Sequence, residues 1–283
     1  MVTAQMVKDL RDKTGAGMAD CKKALDEANG DMSAAIDVLR KRGAASAAKR
    51  ADRSTNEGLI VAKTSADNKS AAIVEINCET DFVARNEEFM EFASQIGDAV
   101  LANNYTSVDE ILAVNIGGKT LGDLYNEMLA KFSERIGIKR FTRIETSSGT
   151  IASYIHAGSK LAVLLEINAV ANEKGLALMR DIAMQVAAMN PMFIDRSTVN
   201  TEAIDKEIEI YREQAILEGK KPEIADRVAT GRLEKFYQEQ CLVEQAFVKD
   251  SSKTINDVVK EISAEVGSDV KILSFYRYFL GAE

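Results

Sequence analysis

The sequence predicts an α+β fold, and three observations carry that reading. The first 43 residues break into short runs with apolar residues at three- and four-residue spacing. A strand–turn–strand–helix pattern occurs twice, with Gly149 standing 91 residues after Gly58. Between Thr201 and Glu239, two polar helices with facing apolar positions flank a short turn. At 283 residues the chain has room for more than one core. The pattern divides it into 1–54, a three-helix N-terminal domain and linker; 55–145, a first core subdomain; 146–196 with 240–283, a second core subdomain; and 197–239, a projecting helical coiled-coil hairpin.

In the N-terminal domain, Thr3 caps a helix carrying Met6, Val7 and Leu10, and "TGAG" at Thr14–Gly17 breaks it. A second helix from about Met18 to Ala28 places Met18, Cys21, Ala24, Leu25 and Ala28 on one face, and Asn29-Gly30 ends it. Asp31 caps a third helix bearing Ala35, Ile36 and Leu39, with Gly43 as its expected end. "AASAAKRADRSTNEG" then reads as a partly helical linker.

The duplicated unit opens with "GLIVAKTSADNKSAAIVEIN" at Gly58 and "GTIASYIHAGSKLAVLLEIN" at Gly149. The copies match at Lys69/Lys160, Ala71/Ala162 and Glu75-Ile76-Asn77/Glu166-Ile167-Asn168. Each holds two strand-like runs around a polar turn, the pattern of a hairpin. Helices follow at Glu87 to about Leu101 and about Glu173 to Met189, where Phe92-Ala93 and Gln95 match Ile182-Ala183 and Gln185 at an offset of 90. The second copy has therefore lost one residue between strand and helix. Two copies are too few for a solenoid.

Helices are also predicted at Ser107–Val114 and Thr120–Ile136. In the hairpin, Ile204, Ile208, Tyr211 and Ala215 face Ala225, Ala229, Arg232 and Phe236 across the turn "EGKKPE". A helix near Thr254–Val266 and a strand near Val270–Phe279 close the chain.

Composition excludes several classes of function. The net charge of −8 argues against nucleic-acid binding by the whole chain, and the basic run Arg40, Lys41, Arg42, Lys49, Arg50 and Arg53 reads as a solvated linker. No apolar run reaches membrane-spanning length, and the N-terminus lacks a signal-like apolar core, so a cytoplasmic location is expected with no membrane partner. The cysteines Cys21, Cys78 and Cys241 are far apart, and His156 is the single histidine, so neither a disulfide framework nor a metal site is expected.

Two chemistries fail on context. "AVNIGGKT" fits a relaxed phosphate-loop pattern, yet Ser107 and Glu110 form an S-x-x-E start signal that makes the preceding run a helix where a phosphate loop needs a buried strand. The bland reading is a helix–turn–helix connection with Thr120 as a cap. Cys78 and His156 end hairpin strands in different copies, with nothing to bring them together as a nucleophile and its base. No pair of acids stands out, so no catalytic residues are assigned.

The stretch that remains is "NCETDFVARNEEF", in which Thr80-Asp81-Phe82-Val83 puts an acid beside an aromatic ring in a loop. The second copy has Asn172 or Glu173 at the place of Phe82, so the architecture tolerates a polar residue there. Two readings stay open: a staple tucked under the following helix, or an apolar wedge offered to a partner.

These same residues resemble the signature of the elongation factor Ts family, the exchange factors of bacterial and organellar translation. "LRDKTGAGMADCKKALDEANGDMSAAIDVLR" resembles the family's N-terminal domain, a three-helix module similar to ubiquitin-associated domains, and "SYIHAGSKLAVLLEI" its second-repeat hairpin. The resemblance covers essentially the whole chain. It implies a GTPase partner, elongation factor Tu, with no cofactor, no nucleotide of the chain's own and no direct nucleic-acid contact. Lys8, Arg11 and Met18 are then expected against the partner's nucleotide-binding domain. Thr80, Asp81, Phe82 and Val83 are expected near its magnesium and phosphate site, and His156 toward its C-terminal barrel. Ala19 departs from the second methionine common at that position.

Overall fold

A computed structural model describes residues 2–50 and 52–282, the side chains of 44–49 excepted. Its first helices are α1 (Ala4–Thr14), α2 (Met18–Glu27) and α3 (Met32–Lys49). The Thr3 hydroxyl accepts the Met6 N–H at 3.2 Å, and Asp31 accepts that of Ala34 at 2.8 Å, so both caps act where their sequence positions predict. Val7, Leu10, Cys21, Ala24, Leu25, Ala35 and Leu39 close a small core between the helices. The expected end at Gly43 is corrected, because α3 runs on to Lys49. Gly43 instead marks the crossing over the helix Leu121–Phe132, where an added Cβ would lie 2.9 Å from that of Ala130.

The first copy of the repeat begins with the antiparallel hairpin β1 (Glu57–Thr64) and β2 (Ser70–Cys78). A single turn, α4 (Asp81–Ala84), precedes α5 (Glu87–Ala102) and α6 (Val108–Leu112). A two-stranded ribbon, β3 (Asn115–Ile116) and β4 (Lys119–Thr120), leads into α7 (Leu121–Phe132), and β5 (Gly137–Glu145) returns beside β2. The helix expected to reach Ile136 stops at Phe132, where Ser133 turns left-handed with φ 49°. β5 is unannounced in the sequence. "GIKRFTRIE" lies at a sheet edge and is half-buried along most of its length, so Lys139, Arg140 and Arg143 hide its alternation.

The second copy runs β6 (Thr150–Ile155), β7 (Leu161–Ile167) and α8 (Glu173–Met189). The inserted pair α9 (Thr201–Leu217) and α10 (Pro222–Gln240) follows. The ribbon β8 (Ala246–Phe247) and β9 (Asp250–Thr254), then α11 (Ile255–Val266) and β10 (Ile272–Phe279), complete it. The strand order β6-β7-β10 repeats β1-β2-β5. The duplication thus extends beyond hairpin and first helix to the ribbon, the second helix and the last strand. Its unrecognised signal is a second offset of 134 residues: Lys119-Thr120 with Asp123, and Lys253-Thr254 with Asp257, each a capping box. Each lysine reaches an acid eight residues on, Glu127 and Glu261.

The two sheets pack face to face through Ile60, Ala62, Ala71 and Ile73 on one side and Ile151, Ala162, Leu164 and Tyr278 on the other. α5 and α7 cover the outer face of the first sheet, and α8 and α11 that of the second, giving four layers. The contact between sheets obeys the sequence offset of 91. The Ile60 N–H donates to the Ser159 carbonyl at 2.6 Å, and the equivalent Ile151 N–H donates to the equivalent Asn68 carbonyl at 2.8 Å. A Cβ on Gly58 or Gly149 would lie 2.1 or 2.0 Å from the carbonyl oxygen of Ile76 or Ile167, so no side chain fits at either start.

The seam of the inserted pair is thin: Ala215, Ala225, Ala229, Leu233 and Phe236 are its buried residues. Arg232, expected in that seam, instead pairs with Glu218 at 2.8 Å. The spacing Ala225–Ala229–Leu233–Phe236 keeps Leu233 on the inner stripe and turns its neighbour outward.

Candidate partner-binding site

β2 ends at the buried Cys78, and the chain then makes one helical turn before α5. Thr80 is the cap of that turn, its hydroxyl accepting the Val83 N–H at 3.5 Å. Asn86 immediately caps α5 by accepting the Glu88 N–H at 3.0 Å. Caps this close hold the turn apart from the helix, and the residues between them divide sharply. Val83 and Ala84 are buried, joining the core under β1 and β2, whereas Phe82 is 84% exposed. The staple reading is thereby excluded for Phe82. Val83, grouped with its neighbours in the sequence reading, presents no side chain to the surface and anchors the turn from below.

By the offsets of 91 and 90, Phe82 falls at Glu173 or Asn172 of the second copy, where Asn172 caps α8 directly and Glu173 is its first residue. Both are polar, and the next residue, Lys174, pairs with Glu265. Asp81 is beside Phe82 and ion-paired at 3.2 Å to the exposed Arg85. From the turn between α7 and β5, Glu134 reaches back to this loop. Its carboxylate accepts the N–H groups of Glu79 and Thr80, both at 3.1 Å, and the Thr80 hydroxyl at 2.6 Å.

His156 stands exposed on the β6–β7 turn, its Nδ1 2.9 Å from the Tyr154 hydroxyl. That turn and the Phe82 turn face one groove of about 520 Å³, lined by Glu57, Leu59, Asp81, Arg85 and Met90 opposite Ala157–Lys160. The pairing of the two sheets is what brings them together. Lys8 and Arg11, one turn apart on α1, and Met18, the first residue of α2, are exposed on the N-terminal helices and do not line this groove.

The basic run is not a solvated linker. Arg40 pairs with Glu127, Arg42 with Glu27 at 2.9 Å, and Arg53 with Glu79 at 3.2 Å. Arg50 is buried and donates to the carbonyls of Glu134 at 2.9 Å and Leu129 at 3.3 Å. Arg40 and Arg50 thus tie α3 and the linker to α7 and the turn after it, Arg42 ties α3 to α2, and Arg53 reaches the loop after β2; the side chain of Lys49 lies outside the described residues.

The alternative chemistries find no support in the geometry. "IGGKT" is the β3–β4 ribbon, with Gly117 and Gly118 both at positive φ (61° and 91°) as a tight hairpin turn requires, in place of the helix–turn–helix connection expected. Lys119 is paired with Glu127 at 2.8 Å and the Thr120 hydroxyl serves its cap. Cys78 is buried, its thiol donating to the Thr80 carbonyl at 3.1 Å; burial, then Glu134, pushes its pKa up to about 12, far from an activated nucleophile. Among the described residues no group of three or more His, Cys, Asp or Glu is placed to hold a metal ion, and no helix is long and apolar enough to cross a membrane.

Residues 79–282 match the family model described as Elongation factor TS. The chain is 47% identical over 284 residues to the elongation factor Ts of Chloroherpeton thalassium, covering 99% of this chain and 98% of that one. It is 47% identical over 285 residues to that of Prosthecochloris aestuarii, covering 99% of both. For that of Clostridium perfringens strain SM101 the identity is 46% over 283 residues, covering 99% of this chain and 93% of the other.

Proposed function

The chain belongs to the elongation factor Ts family, and on that premise we propose that it is the guanine-nucleotide exchange factor of elongation factor Tu, binding the GDP form and promoting GDP release so that GTP can enter during elongation. The observation that carries the reading is Phe82, a large apolar ring almost wholly in solvent on a turn fixed from beneath and from the side. The turn does not use the ring for its own packing, since Val83 and Ala84 anchor it from below. Asp81, beside the ring, lines the groove that Ala157–Lys160, next to His156, line from the other side, although neither Phe82 nor His156 lines it; this supports a single face toward the partner.

The mechanism follows from linkage. A factor that binds the empty GTPase more tightly than the GDP form weakens GDP by the same ratio. Phosphate and magnesium are held by closely placed donors and ligands, so a ring driven among the residues that carry them degrades that coordination. A buried aromatic anchor contributes a few kcal/mol to an interface, enough to offset such a disruption. Asp81 adds a charge next to the ring on the magnesium side, while Lys8, Arg11, Met18 and His156 hold the partner elsewhere. No covalent bond is made or broken, so the factor acts without being an enzyme in the covalent sense, and it needs neither cofactor nor nucleotide of its own. In this reading 1–54 and the two core subdomains, 55–145 and 146–196 with 240–283, grip the partner, 197–239 projects from the body, and the work is done in the cytoplasm.

The test is a release assay with labelled GDP on elongation factor Tu. Acceleration by the full chain is expected, with no nucleotide binding by the chain alone. Binding to the GTPase without acceleration would make the chain an adaptor and overturn the proposal.

A further inference from the structure

We propose that Glu134 is a positioning residue whose carboxylate holds the Thr80–Ala84 turn in the conformation that presents Asp81 and Phe82; this rests on the exchange reading above. The carboxylate sits outside the turn it organises. One oxygen accepts the N–H groups of Glu79 and Thr80, and the other accepts the Thr80 hydroxyl. A hydroxyl has one proton, and here Glu134 takes it. The oxygen's lone pairs are then the part left to face the Val83 N–H, which is the capping bond of the turn. Glu134 therefore fixes both the backbone entering the turn and the sense of its cap.

The bracing is reciprocal. The Glu79 carboxylate accepts the Arg135 N–H at 2.6 Å and is paired with Arg53. Arg50 bonds the Glu134 carbonyl, and Arg135 bonds the Arg53 carbonyl. The linker, the turn at 133–135 and the Phe82 turn form one hydrogen-bonded unit.

The second copy of the repeat shows that the fold does not require this clamp. Ser133 and Gly267 are the left-handed ends of α7 and α11, so Glu134 corresponds to Ser268. A serine hydroxyl cannot replace a carboxylate accepting three hydrogen bonds. In that copy Asn172 caps α8 directly with no separate turn before it, and the place of Phe82 is taken by a polar residue, Asn172 or Glu173. Clamp and exposed ring occur together in one copy and are both missing from the other. The physical reason is length: a four-residue helix cannot hold itself in water. A ring presented from an unbraced turn would lose part of its contact energy to ordering that turn on binding.

Three full-length chains test this: wild type, Glu134→Ala and Glu134→Gln. Glutamine keeps the carbonyl that accepts the two N–H groups and reverses only the third arm, its amide donating to the Thr80 hydroxyl oxygen, which retains a second lone pair for the Val83 N–H. Hydrogen exchange of the free protein reads the Glu79 and Thr80 amides. GDP release from elongation factor Tu across a range of factor concentrations reads the maximal rate and the half-saturating concentration separately. For Glu134→Ala, protection of those amides is expected to fall while that of the β1–β2 pairing stays. The maximal rate is expected to drop about tenfold or more, with half-saturation moving less than about threefold, as misplacing a working group does. Glu134→Gln is expected within about twofold of wild type in both. Retained amide protection in Glu134→Ala, an unchanged maximal rate, or a loss that glutamine does not restore overturns the proposal. If Glu134→Ala unfolds, Glu134→Asp, which keeps the charge but draws the carboxylate back by one methylene while leaving the Thr80 cap intact, replaces it, with reduced protection of the Glu79 and Thr80 amides and the same drop in maximal rate expected and their absence overturning the proposal. A wild-type chain that fails to accelerate release defeats the exchange reading instead, and amide exchange alone then decides the clamp.

Discussion

Phe82 and Val83 are chain neighbours with opposite environments, one in solvent and one in the core, and their energetics differ accordingly. Truncating an exposed side chain changes stability by within about 0.5 kcal/mol, whereas Ile76→Ala, deep in β2, is expected to cost about 2–5 kcal/mol. Denaturant unfolding of Phe82→Ala beside Ile76→Ala checks this. Asp81→Ala is expected to slow exchange less than Phe82→Ala, because its exposed pair with Arg85 contributes only about 0–1 kcal/mol and an acid fills no pocket; release rates of the two variants decide it. The thiols give a pH prediction. Burial first, then nearby acid, raises Cys78 to about 12 and Cys241 to about 11, so the folded chain resists alkylation at pH 8 and reacts readily once unfolded. A raised thiol pKa favours the native state up to the ordinary value of 9.0 and ceases to do so as pH climbs from there through the folded values. Unfolding midpoints are therefore expected to fall above about pH 9. At this scale the sequence was legible for Phe82, whose oddity lies in its own loop. It was silent about Glu134, which acts on a loop 54 residues away and reads locally as one more acid of a helix end.

The helices were readable because their signals are local: Thr3, Asp31 and Asn86 each cap within three residues. β5 and the two ribbons were not, since an edge strand half in water keeps its charges, β3, β4 and β8 have two residues each and no periodicity to find, and β9 is polar throughout. The ribbon β3–β4 also disposes of the phosphate-loop resemblance. Lys119→Ala is expected to leave exchange unchanged and stability within about 1 kcal/mol, the scale of an exposed ion pair. Thr120→Ala and Thr254→Ala, each breaking a capping box, are expected to cost about 1 kcal/mol apiece in thermal unfolding. The inserted helices lean on a narrow seam, yet their stem is stitched to the body where Phe193 and Gln240 share backbone bonds. Replacing 201–239 with a short glycine-rich loop is expected to leave the rest of the chain folding cooperatively, as one unfolding transition would show.

Seen whole, the molecule is two copies of one unit placed back to back with a helical module docked against α7. The first offset was visible because hairpins keep their glycines and turn residues in register, and the same register reappears as paired bonds across the sheets. The second offset was masked by the insertion of α9 and α10 and by the low identity of helix surfaces, with only the capping residues and the lysine–glutamate pairs retained. Deleting residues 1–54 is expected to leave a folded core with a lower thermal midpoint. The deletion uncovers Ala130 and removes the bonds of Arg50, and it is expected to reduce exchange as well. The most direct test of the central claim is GDP release from elongation factor Tu by wild type and Phe82→Ala, run beside thermal unfolding of both. The account predicts release slowed severely at an unchanged unfolding midpoint; exchange intact per folded molecule, with or without a fall in stability, would contradict the wedge.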